Sequence, residues 1–272
     1  MEGVRRSDAE IAERLACRQD CFRLIAWTDA CYQAHDDAER DRPWIERLLS
    51  VPGPSERDLR EAHSWRTKAA WLIYSIGDLL PFLVHFLPDA EIRATLEASR
   101  RYFDNAEGVG DRVRGLLGSV LDEARNDATR ILLIGHSLGS VIAYDTLWER
   151  SRSGWGGPRI DLLLTLGSPL GVRFVQHRLR GADAAGPERY PDNVRRWINI
   201  AAVGELRALD RRLSGDYAPM VESGLIEEIR DETDDVYNFF RGPEGLNVHR
   251  DYGYLVNPAT GRVIADWWRR GS

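Results

Sequence analysis

Residues 131–146, ILLIGHSLGSVIAYDT, constrain the fold of this chain more than any other segment. Four apolar residues run together with no polar alternation. Such a run suits a strand buried on both faces, which is the situation in a parallel sheet covered by helices on each side. A helical pattern from about Leu138 to Arg150 follows with almost no linker. Between the two stands Gly135-His136-Ser137-Leu138-Gly139, with the spacing G-x-S-x-G. A serine on a tight strand-to-helix turn sits in a strained backbone conformation, and side chains two residues to either side would collide. Glycine at both flanks meets that demand. The five-residue pattern alone is weak; the strand before it and the helix after it supply the context.

Further short apolar runs follow the same logic. RIDLLLTLGSP (159–169) reads as a buried strand ending in a turn, VRRWINIAAV (194–203) as a third strand and LIEEIRDE (225–232) as a fourth. A C-terminal helix is expected from about Gly261 to Arg270. Upstream, CFRLIAW (21–27) has the composition of a strand, and residues 8–20 have a helical rhythm. Residues 35–62 read as loop plus a short helix, with a break at VPGPS (51–55). Residues 63–103 read as two or more helices, and 108–125 as an amphipathic helix with Val109, Val113, Leu116, Leu117, Val120 and Leu121 on one side. Strands alternating with helices predict an α/β fold with a mostly parallel sheet, within a single domain over 1–272.

The totals exclude several function classes. With 43% hydrophobic and 29% charged residues, the 272-residue chain has an ordinary globular composition. A net charge of −6 leaves no basic surplus to neutralise phosphates, so no nucleic-acid partner is expected. Three cysteines, Cys17, Cys21 and Cys31, and a charged start without an apolar h-region point to reduced thiols in a cytoplasmic protein. Cys17 and Cys21 lie a helical turn apart, but no histidine or second cysteine pair completes a metal site, and no metal or cofactor is expected. The most apolar stretch, residues 69–88, contains Asp78, Pro81 and His85. Its charge-free pieces fall short of the roughly 20 apolar residues a membrane helix needs, so no transmembrane segment is expected.

From these residues the chain resembles the α/β-hydrolase superfamily, in particular bacterial lipase- or esterase-like serine hydrolases. The segments that carry the resemblance are LLIGHSLGSVIAYD, TLGSPLG (165–171), WINI (197–200) and NVHRDYGYLVNPATGRVIADWW (247–268). They span roughly the C-terminal half. The resemblance implies an α/β-hydrolase fold, either shortened at its N-terminal side or continued upstream of Met1, and a Ser–acid–His triad in that chain order. It implies hydrolysis of a small-molecule acyl ester.

A serine hydroxyl needs a base to take its proton. His249 alone stands where the family order puts the base, after the last strand and before the C-terminal helix. His35, His63 and His85 precede the serine, and His177 follows the second strand too closely. His136 reads as a packing or pocket residue. For the acid, Glu205 stands just past the third strand, where the family has aspartate; Asp210 is its rival, with Asp216 or an acid at the end of the preceding strand behind it. The Leu138 backbone N–H is the expected oxyanion donor. Ser168 reads as a buried turn rather than a second nucleophile. The family's usual second donor, on a His-Gly loop after an earlier strand, has no counterpart before residue 130. Residues 63–103, rich in aromatics, read as a helical cap over an apolar acyl pocket or as a plain cover for the sheet. Acyl transfer or thioester cleavage would use the same three residues. A binding module without catalysis is the reading from a different class.

Overall fold

The computed structural model describes residues 1–27, 38–64, 90–127, 130–205 and 212–271. At the N-terminus lie α1 (Glu2–Ser7), α2 (Ala9–Ala16), α3 (Ala38–Ser50) and α4 (Glu56–Ala62). Then come α5 (Ala90–Phe103) and α6 (Val109–Asp127). The central segment runs β1 (Leu132–His136), α7 (Leu138–Arg152), β2 (Leu162–Leu166), β3 (Arg196–Ile200) and β4 (Glu228–Glu232). A two-stranded hairpin, β5 (Arg241–Gly242) and β6 (Gly245–Leu246), leads to α8 (Asp251–Leu255) and α9 (Pro258–Arg269).

β1 to β4 form one sheet in the order β1-β2-β3-β4, every neighbouring pair parallel. The four segments read as strands are these four, although β4 is mostly charged and is not an apolar run. Leu163 and Trp197 face a cluster with Val141 and Leu147 of α7 and Val113 and Leu117 of α6. Leu162, Leu164, Ile198 and Ile200 face the other side, against Ala259 and Val263 of α9. The chain is therefore α/β, with a parallel sheet flanked by helices. Parallel strands all end on one edge, and ligands of such sheets bind outside the carboxyl ends. Ser137 follows β1, and Glu205 follows β3 by five residues.

Several expectations are corrected. CFRLIAW is not a strand: Gln19–Cys21 is a 3-10 turn, and residues 22–26 run on without a ladder partner among the described residues. Its residues suit a pleated surface, but a strand needs a neighbour to pair with. Ile25 and Trp27 pack on the core instead, and Leu24 is 95% exposed. The first residues, read only as a charged start, form α1, whose Val4 packs with Ile11, Leu15 and Ala265. Residues 38–62 hold two helices rather than one, parted at the foreseen VPGPS break. α9 begins at Pro258, earlier than expected, because Asn257 caps it by accepting from the Ala259 N–H at 2.9 Å. The Gly-rich stretch before His249 is the β5–β6 hairpin. On α6, Val109, Val113, Leu117 and Leu121 are buried as foreseen, whereas Leu116 is exposed.

The cap expected over 63–103 falls largely on residues 65–89, outside the described residues, as does the apolar stretch 69–88. Among the described residues, no helix is long and apolar enough to cross a membrane. Cys17 and Cys21 are exposed free thiols, and Cys31 lies outside the described residues.

Candidate functional site

Ser137 occupies the turn between β1 and α7 with φ 52° and ψ −128°. This is a conformation that side-chain-bearing residues avoid, at a cost of about 1–3 kcal/mol. Two neighbours hold it there. The Ser137 N–H continues the ladder by donating to the Leu166 carbonyl at 3.0 Å, and the Ser140 N–H donates to the Ser137 carbonyl at 2.9 Å. The flanking glycines have steric causes. A Cβ on Gly135 would lie 2.7 Å from Ser140 Cα and 2.9 Å from the Gly139 carbonyl oxygen, both backbone atoms that cannot swing aside. One on Gly139 would meet Trp27 Nε1 at 3.3 Å.

Leu138 opens α7. Its N–H belongs to the first helical turn, whose donors have no intrahelical acceptor, at the positive end of the helix dipole.

The structure brings Ser137, His249 and Glu205 into one hydrogen-bonded line. His249 Nε2 is 2.9 Å from Ser137 Oγ, and His249 Nδ1 is 2.8 Å from Glu205 Oε1. A carboxylate accepts, so Nδ1 donates to it. That leaves the Nε2 lone pair to accept from the serine hydroxyl. The Glu205 side chain has no exposure to solvent, and that of His249 is 14% exposed.

Glu205 is anchored on its other oxygen. The Ala202 N–H donates to Tyr254 Oη at 3.0 Å, and Tyr254 donates its own proton to Glu205 Oε2 at 2.9 Å. Gly167, with φ 52°, makes room: a Cβ there would stand 3.1 Å from both Glu205 Oε2 and Tyr254 Oη. The turn carrying Glu205 backs onto α4, since a Cβ on Gly204 would lie 2.5 Å from the Ala62 carbonyl oxygen.

His249 sits in the short loop between β6 and α8. Its N–H donates to Asn247 Oδ1 at 3.0 Å, and Asn238 Nδ2 donates to the Arg250 carbonyl at 2.7 Å. Arg250 pairs with Asp41 of α3. Arg241 of the hairpin pairs with Asp58 at 2.7 Å and Glu61 at 2.6 Å, both on α4. The N-terminal helices thus hold both the turn of Glu205 and the loop of His249.

His136 donates from Nε2 to the His249 carbonyl at 2.8 Å, and the two rings lie 4.8 Å apart. Burial pushes its pKa down to about 4, helped by the facing His249; Asp251, the His249 carbonyl and Glu205 pull the other way.

The remaining candidates lie elsewhere. Asp216 is exposed and accepts from Gln176 at 2.7 Å. Asp210 falls outside the described residues, as do His35 and His85. His63 is the C-cap of α4 with its ring tilted at 54° to that of Tyr237, and His177 is exposed. Ser168 is buried; its Oγ lies 2.7 Å from Ser140 Oγ and caps the following turn. β2 is followed by Gly167-Ser168, with no acid there. Asp231, in the acidic run of β4, accepts from Asn199, Leu213 N–H and Ser214 N–H, so it braces a loop. Asp145 is buried two turns along α7, held by Tyr102 at 2.7 Å and the Arg180 N–H at 2.8 Å. Burial raises its pKa to about 6.

Sequence reasoning missed Tyr254 and Gly167 as neighbours of Glu205. Nothing in the composition of YGYLVNP (252–258) says which tyrosine reaches Glu205. Among the described residues, no group of three or more His, Cys, Asp or Glu is arranged to hold a metal ion. No family model, curated protein or solved structure matches the chain.

Proposed function

We propose that this protein is a serine hydrolase of α/β-hydrolase fold that cleaves carboxylic esters through an acyl-enzyme on Ser137. The observation that carries the reading is the continuous relay Glu205–His249–Ser137, with a serine at positive φ on a strand-to-helix turn. A buried structural serine has no need of an aligned base and acid, nor of a strained backbone.

In the first half-reaction Ser137 Oγ attacks the ester carbonyl while His249 Nε2 takes its proton. Glu205 holds the Nδ1–H, so the imidazole keeps the tautomer that can accept, and its charge stabilises the imidazolium. The tetrahedral oxyanion is held by the Leu138 N–H and one further donor. Collapse expels the alcohol, protonated by His249. Water, activated by the same histidine, then releases the acid and restores Ser137.

A panel of p-nitrophenyl esters of increasing acyl length, with one thioester alongside, tests the reading. Ester turnover is expected, with chain length reporting the acyl pocket. Turnover of the thioester alone would move the activity to thioester chemistry, and no turnover of any member by folded protein would favour a binding role.

A further inference from the structure

His136 stands outside the Ser137–His249–Glu205 relay and still touches it. As the last residue of β1 it shares a face with Leu132 and Ile134, because side chains of a strand alternate. That face leads to Tyr254 and the loop of His249; the His136 ring lies 5.8 Å from that of Tyr254. Its Nε2 lies 2.8 Å from the His249 carbonyl oxygen. A carbonyl only accepts, so Nε2 carries the proton and neutral His136 is the Nε2–H tautomer.

The base loop has no ladder of its own at this point. Asn247 holds the His249 N–H and Asn238 holds the Arg250 carbonyl. The carbonyl between them, that of His249 itself, takes its bond from His136. His136 and Ser137 are joined by one peptide unit at the end of a paired strand. The element that carries the nucleophile therefore also grips the residue that must accept its proton.

We propose that His136 is a positioning residue, whose Nε2–H fixes the backbone of His249 and through it the imidazole in line with Ser137 Oγ. The proposal rests on the reading of His249 as general base. Proton transfer works only at hydrogen-bond reach, and a small misplacement of a reacting group costs heavily. The charge state fits the task. His249 becomes cationic when it takes the serine proton, and a second cation 4.8 Å away would oppose that step. Burial and the His249 ring keep His136 neutral, while Asp251 and Glu205, the acids facing it, act in the opposite direction and are outweighed.

Two amides of different reach test this. Glutamine at 136 puts an N–H near the position of Nε2, and asparagine stops short of it. For a p-nitrophenyl ester, His136→Gln is expected to keep kcat within about threefold of wild type, and His136→Asn to lose roughly 10- to 100-fold in kcat with KM little changed. Equal kcat in the two variants, or a loss carried by KM instead, overturns the proposal. Nitrogen NMR of wild-type protein with isotope-labelled histidine needs no turnover. A neutral Nε2–H tautomer of His136 at neutral pH, with His249 ring signals displaced by His136→Asn and not by His136→Gln, is expected. A charged or Nδ1–H His136 overturns the proposal. If wild type cleaves no ester, the hydrolase reading fails, and the NMR result still decides whether His136 holds the loop.

Discussion

Ser137→Ala is expected to lower kcat for ester hydrolysis on the order of 10⁶-fold, and His249→Ala by a similar factor. The two act as one unit: without the base the hydroxyl is not deprotonated, and without the hydroxyl the base has nothing to activate. The double variant is therefore expected to be no worse than either single one. Stability should hardly follow. Alanine at 137 suffers the same positive φ as serine and gives up only the bond to His249. One hydrogen bond of this kind is worth about 1 kcal/mol. Steady-state kinetics beside thermal unfolding checks both halves. A Ser137→Ala protein that keeps its melting temperature and its turnover would move the chemistry to another residue.

Glu205→Gln is expected to cost roughly 10⁴-fold, as when an aspartate in this role becomes an amide. The cause lies in the direction of the hydrogen bonds. Tyr254 accepts from the Ala202 N–H and donates its one proton to the acceptor-only carboxylate of Glu205, a bond that a glutamine keeps only with its carbonyl oxygen in that place. A glutamine would turn its carbonyl toward Tyr254 and its NH₂ toward His249 Nδ1. Nδ1 would then have to accept, the proton would move to Nε2, and the imidazole would present a donor to Ser137 where an acceptor is needed. The near-identical shape keeps the buried site packed, so the loss is expected in kcat without unfolding. Asp210→Asn is expected to leave activity near wild type. The reverse order of the two variants would make Asp210 the acid.

The parallel sheet was legible mainly in β2 and β3, whose apolar runs are buried throughout as both-face burial demands; β1 and β4 are half-buried edge strands, with Ile134 exposed and β4 mostly charged. The serine turn was legible because its glycines answer a steric need that is local. His249 and Glu205 were legible by their place in the chain order of a resembling family; the composition around them would not have singled them out. What stayed hidden depends on distant contacts. CFRLIAW has strand-like residues but, among the described residues, no strand to pair with. α1 is too charged to look buried, yet its Gly3 packs so closely on α9 that a Cβ on Gly261 would lie 1.8 Å from the Gly3 carbonyl oxygen. Tyr254 reaches Glu205 across 49 residues of sequence, and only the meeting of α8 with the end of β3 makes it a partner. His136 was read as packing, although strand alternation already put it on the face of Leu132 and Ile134, away from the side chain of Ser137. What lay beyond reach was that the loop of His249 would fold onto that face.

The most direct test of the central claim is labelling of the folded protein with a fluorophosphonate, followed by peptide mapping. This reagent reacts with a serine whose proton a neighbouring base can take. A single adduct on Ser137, absent from His249→Ala, is the predicted result. A folded chain that takes no label, or takes it on another residue, would contradict the account and leave the turn at Ser137 as architecture.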